Sequence, residues 1–368
     1  MRRNKGSYLG FVYLVIAVIA ALGLLFGILA GYTDPRQVKW FAFFGLAYPF
    51  FLLLNVIMIF IWISRKKLIY PVLTVLLILS GWHTLIATVG FTGNTGDGPK
   101  KEGLVRMMTY NVHSFKPYGE SNNELIKEKM LNVVREQDPD ILCFQEYYTR
   151  NKGTFAITDS LKQMLKTHSY YFVPTSSNDY EATGLAIFSK FPIKDKGSIL
   201  FSTNHNGNAS IYVDLKINEK LFRVYNVHLQ SIAFDKQDYT YLDQVKTKME
   251  PEITPAKRIA YMLKTAFLKR SAQVDIMKAH MSTCKTPYLI AGDFNDTPAS
   301  YAVTQMTKSL KNTFIEQGTG LGRTYNGKFP NFQIDYIAVT PAVSVMNYHI
   351  INAKLSDHFP VRSDLKID

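Results

Sequence analysis

Several apolar stretches of this sequence end in carboxylates, amides or imidazoles. MMTYNVH delivers Asn111, ILCFQE delivers Gln145 and Glu146, RVYNVHL delivers Asn226 and His228, and YLIAGDFN delivers Asp293 and Asn295. KLSDHFP delivers Asp357 and His358. QIDYI carries Asp335 inside a strand pattern, where a buried carboxylate must be paired or ligating. If these stretches are strands whose ends meet at one sheet edge, the residues form one site. Carboxylate and amide oxygens are hard donors, suited to Mg²⁺ or Mn²⁺ rather than zinc. A divalent ion polarises a phosphoryl oxygen, and a carboxylate orients or deprotonates water. An imidazolium held by a buried carboxylate stabilises the charge that develops during in-line attack. The set suits metal-assisted hydrolysis of a phosphoester.

Taken singly, each residue has a plainer reading. An asparagine after a strand is usually a turn former. A glutamate at a strand end is usually solvated, and Asp293 after Gly292 fits an Asx-turn or a helix cap. Asp296, ahead of Thr297-Pro298 and the helical pattern PASYAVTQM, reads as such a cap. The ordered set carries the specificity.

The elements that must position these residues are legible as alternating strand and helix patterns. LVRMMTYNV, ILCFQE, GLAIFSK, SIYVDLKI, KLFRVYNVHL, PYLIAGDFN and FQIDYIAVT read as strands. NELIKEKMLNVVREQ has apolar residues at helical spacing, and Asp138-Pro139-Asp140 stops it. A long helix is expected from about Pro255 to Met281, with Thr254 as N-cap. Ser231 to Glu250 reads either as a solvated excursion with no further role or as a long loop beside the site that confers substrate choice. Arg323, in GLGRTYNGKFPNF, either grips phosphate or anchors its loop. Many strands with few helices imply an α/β sandwich around a large core.

The pieces TYNVH, CFQE, GLAIFSKFPI, NVHLQS, AGDFNDTP, QIDYIAV and LSDHFPV, in this order, resemble the endonuclease/exonuclease/phosphatase superfamily, in its membrane-anchored bacterial type. The resemblance covers roughly residues 104–367. It implies a four-layer α-β-β-α sandwich, the deoxyribonuclease-I-like fold, with a metal-dependent phosphodiesterase, nuclease or phosphatase site. Carried over by position, Asn111, Glu146 and Asp357 are metal-site residues, with Glu146 the principal ligand. His228 contacts phosphate, and Asp293 positions or activates the nucleophile. Asn295 binds the scissile phosphate, and His358 is the essential histidine, oriented by Asp335. Asp293 and the Asp335–His358 pair are rival candidates for the base. One position departs from the pattern: DNA-repair members often carry an acid two residues after the first asparagine, where this chain has His113.

Composition changes sharply near residue 95. No Asp, Glu, Lys or Arg occurs from Gly6 to Thr33, from Trp40 to Ser64, or from Leu68 to Gly96. Each run exceeds the roughly 20 apolar residues that cross a bilayer as a helix. Three transmembrane helices are expected, at about Tyr8–Ala30, Trp40–Ile63 and Leu68–Phe91, with His83 packed against a neighbouring helix in the third. Arg2, Arg3 and Lys5 before the first, and Arg65, Lys66 and Lys67 between the second and third, place the N-terminus in the cytoplasm and the catalytic part outside the inner membrane. The organisation is then a transmembrane region over 1–92, a flexible Gly-rich linker over 93–103 and a catalytic domain over 104–368. Of the net charge of +13, residues 100–368 supply +7, with 34 Lys+Arg against 27 Asp+Glu. That mild excess suits an anionic substrate, either a lipid headgroup or nucleic acid. Cys143 and Cys284 are the only cysteines, which excludes a disulfide framework or a zinc cluster. The alternative is a non-catalytic, membrane-anchored binding module, whose mark would be loss of the ligands or of the Asp–His pair.

Overall fold

The computed structural model describes residues 5–116, 123–167, 169–202, 208–232, 234–248, 252–327 and 331–367. The chain forms two compact units. One holds the chain up to Thr88 together with Asp296–Gln305, and the other holds Val89–Asn295 and Met306–Asp368.

The first unit is built from the charge-free runs. Lys5–Ala30 is one helix, and its stretch Tyr8–Ala30 is 23 residues long and apolar enough to cross a membrane. The other two runs are not the straight helices expected. Lys39–Leu46 and Tyr48–Ser64 meet at 63°, and Ile69–Ser80 and Trp82–Thr88 meet at 78°. The first break precedes Pro49, which lacks a backbone N–H and whose ring would clash with the carbonyl four residues back. The second break is at Gly81, where a Cβ would lie 2.6 Å from Ile28 side-chain atoms. One helix therefore qualifies as a span, and three only if each bent pair counts as one. The last helix also stops at Thr88, because Val89–Phe91 pairs as a strand with Thr319–Leu321. His83 is exposed rather than packed against a neighbour. Within the unit, Asn55 Nδ2 donates to the carbonyls of Ala20 and Phe51, a polar tie between apolar helices. The orientation residues Arg2 and Arg3 lie outside the described residues.

The second unit has two six-stranded mixed sheets. The first runs, edge to edge, Ser344–Ile350, Val361–Lys366, Val105–Asn111, Ile141–Arg150, Glu181–Ser189 and Ser169–Ser177. The second runs Lys311–Asn312, Asp335–Val339, Tyr288–Asp293, Lys220–His228, Ala209–Ile217 and Ile193–Leu200. Alternate side chains of both sheets meet in a core that includes Met107, Ile141, Cys143, Ile187, Ile211, Val213, Val224, Leu289 and Ile337. Met130, Leu131 and Val134 of the helix Glu124–Gln137, and Leu161 of Thr158–Met164, cover the other face of the first sheet through Leu142, Phe144 and Phe188. Asn123 caps Glu124–Gln137 by accepting from the amides of Leu125 and Ile126, and Asp138 ends it in the left-handed conformation. On the second sheet, His280 of the helix Ile253–Thr283 bonds Tyr225 Oη, and Gln273 accepts from the amide of Gln230. The layers are thus helix, sheet, sheet, helix.

Three local expectations change. The long helix begins at Ile253 with Glu252 as N-cap, because Pro255 falls in the first turn, where amides have no intrahelical partner. The excursion after Ser231 contains a helix, Lys236–Lys248. The Gly-rich segment expected to be flexible is tied to the first sheet: Arg362 Nη2 donates to the carbonyls of Gly96 and Gly98, and Lys100 pairs with Asp140 at 2.8 Å.

Candidate active site

Strand direction brings the polar residues to one edge. Val105–Asn111 and Ile141–Arg150 run parallel, with Asn111 opposite Gln145. Lys220–His228 and Tyr288–Asp293 also run parallel, with His228 opposite Asp293, and Asp335 opens the antiparallel strand beside Asp293. Asp357 and His358 do not end a strand, as the sequence pattern implied. They precede Val361–Lys366, whose antiparallel run puts its start at the same edge.

Two backbone devices aim the side chains. The register slips between Phe144 and Tyr147, a bulge that places Glu146 at a positive φ of 51° and turns it to the open edge. Gly292 has φ +138°, and a Cβ there would lie 2.0 Å from the Val227 carbonyl oxygen, so only glycine lets this strand lie so close to its neighbour just before Asp293. Beneath the site, Gln145 Nε2 donates to Asn226 Oδ1 at 2.6 Å, and Asn226 Nδ2 donates to the carbonyls of Phe144 and Ala186. Gln145 and Asn226, equal in sequence to the other candidates, fasten one sheet to the other.

Asp293, 1% exposed, sits at the centre. Its Oδ2 accepts from Asn111 Nδ2 at 3.0 Å, and its Oδ1 accepts from the Asn295 amide at 2.7 Å. His358 Nε2 lies 3.6 Å and His228 Nε2 3.7 Å from its Oδ2. His358 Nδ1 is bonded to Asp335 at 2.9 Å, so a buried carboxylate–imidazole–carboxylate chain runs Asp335, His358, Asp293. Burial, reinforced by the Asp335 charge, raises Asp293 to about 6 against the pull of His358, His228 and Asn111. Burial works against a charged His358, but the charges of Asp335 and Asp293 and the Asp335 hydrogen bond outweigh it, and the ring is held well above the usual imidazole value.

Glu146 faces the open side, with its side chain about a third exposed (32%). Burial is the largest influence on it and opposes ionisation. The His113 hydrogen bond and the charges of His228, His113 and His358 together prevail and bring it down to about 2. Asp357 is buried and accepts from Ser356 Oγ. Asn111 is engaged through both ends of its amide. Its Nδ2 also lies 3.3 Å from Glu146 Oε1, and its Oδ1 accepts from the His113 amide. Both His228 ring nitrogens are buried with no hydrogen-bond partner among the described residues, although Nε2 faces Asp293 and Glu146. An orphaned imidazole beside acids is what a ligand-facing donor looks like before its ligand arrives. Asn295 Nδ2 donates to the Leu229 carbonyl, which leaves one amide hydrogen for another acceptor.

Among the described residues, one set of three acidic or imidazole side chains is close enough to hold a cation: Asp293, Asp335 and His358 place ligand atoms within 4.8 Å of one another. Its Asp335–His358 contact is a hydrogen bond, and a ring driven towards its cationic form is a poor ligand. On the open side, His113 Nδ1 lies 3.4 Å from Glu146 Oε2 and 3.8 Å from Asp357 Oδ2, and Glu146 is an ionised, partly open carboxylate. Asp296 lies in the first unit, where its carboxylate accepts from the Thr297 amide; Ser300 caps the helix Tyr301–Met306 by accepting from the Val303 amide. Arg323 is exposed.

Residues 108–358 match the model of the Endonuclease/Exonuclease/phosphatase family, and residues 10–88 match a domain of unknown function, DUF8431. Among solved structures, the chain is similar to family proteins from three bacteria. The Bacteroides vulgatus structure shares 19% identity over 72% of this chain and 99% of that one, with a TM-score of 0.51. The Bacteroides thetaiotaomicron structure shares 17% identity over 72% and 98%, with a TM-score of 0.50. The Beutenbergia cavernae structure shares 16% identity over 72% of each chain, also at 0.50. These likenesses establish the fold. No curated protein matches the chain significantly.

Proposed function

Since the chain belongs to the endonuclease/exonuclease/phosphatase family, we propose that it is a membrane-tethered, divalent-metal-dependent phosphoester hydrolase. The observation that carries the reading is the buried Asp335–His358–Asp293 chain set beside the ionised Glu146. Glu146 and Asp357 would hold the ion, Mg²⁺ or Mn²⁺, which when bound neutralises charge on the phosphoryl group. Asp293 orients and deprotonates the attacking water. His228, the second Asn295 amide hydrogen and the His358 imidazolium donate to the phosphoryl oxygens, and Asp335 fixes the His358 ring. Asn111 holds Glu146 and Asp293 in register with each other. The binding-module alternative loses ground because the Asp–His pair and the carboxylates are all retained.

The apolar helix Tyr8–Ala30 favours a substrate presented at a bilayer surface over free nucleic acid. We take the two bent helix pairs as two further spans, with the N-terminus in the cytoplasm. Support comes from within the first unit. Arg65 lies over the Tyr13 ring, so the basic loop sits at the starting end of the first helix. A compartment-sensitive reporter fused after Asp368 is expected to report the extracytoplasmic side, and one inserted at Lys66 the cytoplasm. The reverse pattern would defeat the orientation. For the substrate, the full chain in detergent micelles should turn over phosphatidylglycerol or phosphatidylinositol headgroup esters at least tenfold faster than a single-stranded oligonucleotide of equal phosphate concentration. Preference for the oligonucleotide would reverse that assignment.

A further inference from the structure

We propose that a cleft beside Asp357 and His358 binds a second phosphate of the substrate, with Arg323 and Lys354 as its cationic contacts. This assignment rests on the phosphoesterase reading above and specifies the substrate class, a small phosphoester that carries a further anionic group.

Strand order puts the cleft at the active edge. Ser344–Ile350 is the edge strand of the first sheet, and its last residue, Ile350, lies opposite Val361, where the strand that follows His358 begins. The facing wall is the segment after Thr319–Leu321. There the Asn326 amide donates to the Asp357 carbonyl and the Phe359 amide to the Thr324 carbonyl, both at 2.7 Å. The Tyr325 ring meets His358 edge to face, with centroids 5.6 Å apart. The wall of the cleft is therefore bonded to the backbone on either side of His358. The enclosed volume is about 550 Å³, within the roughly 300–1,000 Å³ of small-ligand sites.

The lining carries one sign of charge. Arg323, Lys354 and His349 line the cleft with the amides of Asn94, Asn326 and Asn352, and no Asp or Glu does so among the described residues. The Arg323 and Lys354 side chains have no hydrogen-bond or ion-pair partner among the described residues. Of the two readings of Arg323 in the sequence, the loop anchor thus lacks its bonds and the phosphate grip stands. Asn94 Oδ1 accepts from the Gly96 amide at 3.0 Å, so this residue offers its Nδ2 hydrogens. His349 Nδ1 donates to the Thr95 carbonyl at 2.7 Å and holds that segment against the edge strand. A guanidinium fork, an ammonium and amide donors together suit a phosphate, and Ile350 and Phe359 supply an apolar flank for its carbon skeleton. Binding energy gained here, away from the scissile bond, serves to hold the reacting phosphate in line.

The test uses the purified full chain in detergent with Mn²⁺. It measures kcat/KM for phosphatidylglycerol phosphate in mixed micelles, for its deacylated water-soluble counterpart and for a single-stranded oligonucleotide. Bis-p-nitrophenyl phosphate and p-nitrophenyl phosphate, which lack a second anionic group, are the references, and mass spectrometry identifies the ester cleaved. The variants are Arg323→Gln, Lys354→Gln and the double substitution, at exposed positions where a change of side chain seldom disturbs folding. The ratio of kcat/KM for the two-phosphate substrate to that for the faster nitrophenyl ester should fall about threefold in each single variant and about tenfold in the double, through KM. Added salt should lower the wild-type ratio and leave that of the double variant nearly unchanged. The form of the two-phosphate substrate that the wild type cleaves faster, acylated or soluble, names its source. A double variant that keeps the wild-type ratio overturns the subsite, and so does a wild type that cleaves a nitrophenyl ester but neither two-phosphate substrate. A fall confined to the oligonucleotide moves the cleft to nucleic acid and overturns the small-substrate assignment. A wild type that cleaves none of these compounds removes the phosphoesterase reading and the subsite together.

Discussion

Replacing His358 by alanine is expected to lower kcat for phosphodiester hydrolysis by about a thousandfold, as loss of a charged donor or proton-transfer group from a water-poor site does. The ring is clamped by Asp335 at 2.9 Å and points Nε2 at Asp293. The substitution also leaves Asp335 buried without its partner, and a loss of stability accompanies the loss of rate. Its pH dependence has a defined sign. The folded state raises the His358 pKa, so the pair's contribution to stability is fully present below the unfolded value near 6.5 and is lost only as pH climbs through the raised value. The melting-temperature gap between wild type and His358→Ala should therefore be widest in mild acid and narrow in alkali. Asp335→Asn separates the two effects. It keeps the imidazole but removes the charge that sustains its proton, and it should cost activity while perturbing the fold less. Steady-state kinetics with bis-p-nitrophenyl phosphate and thermal melts check all three statements, and wild-type turnover by His358→Ala would remove His358 from the mechanism.

Asp293→Asn should do two opposite things. Turnover should fall by two to three orders of magnitude, because an amide cannot accept the proton of the attacking water. Stability should rise at neutral pH. Burial lifts Asp293 to about 6, roughly two units above a free aspartate, so keeping it ionised costs the fold on the order of 2–3 kcal/mol. Below about pH 4 both states are protonated and there is no cost; it grows between about 4 and 6 and is complete above about 6. The variant should accordingly melt several degrees higher than wild type at pH 8 and no higher at pH 4. A nearby divalent ion draws the pKa of Asp293 downward, so the acid limb of the wild-type kcat/KM profile should have its midpoint at or below about pH 6. A variant that is equally active, or less stable at pH 8, would contradict the role given to this carboxylate.

Much of the site was readable before the fold because strands announce themselves and their ends are few. Asn111, His228 and Asp293 close apolar runs, and parallel pairing then brings them together without further information. Other features depend on contacts that a linear pattern does not carry. Gln145 and Glu146 are neighbours, yet a one-residue register slip sends one into the sheet interface and the other to the open edge. Asp357 and His358 look like a strand terminus but precede their strand, because direction is invisible in an apolar run. The bends at Ala47 and Gly81 arise from local sterics inside runs whose composition alone predicts straight helices. His113 is the sharpest case. Its type was visible as a departure, but its place between Glu146 and Asp357 follows from a turn of three left-handed residues with no glycine to signal it.

The central claim is metal-dependent phosphoester hydrolysis at the Asp335–His358–Asp293 chain. Its most direct test is hydrolysis of bis-p-nitrophenyl phosphate by the full chain in detergent, measured with Mn²⁺ or Mg²⁺, after EDTA, and after metal is restored. The account predicts turnover that EDTA abolishes, that added metal restores, and that His358→Ala lacks throughout. Turnover that survives EDTA, or a folded protein that hydrolyses neither this diester nor p-nitrophenyl phosphate with any divalent metal, would contradict it.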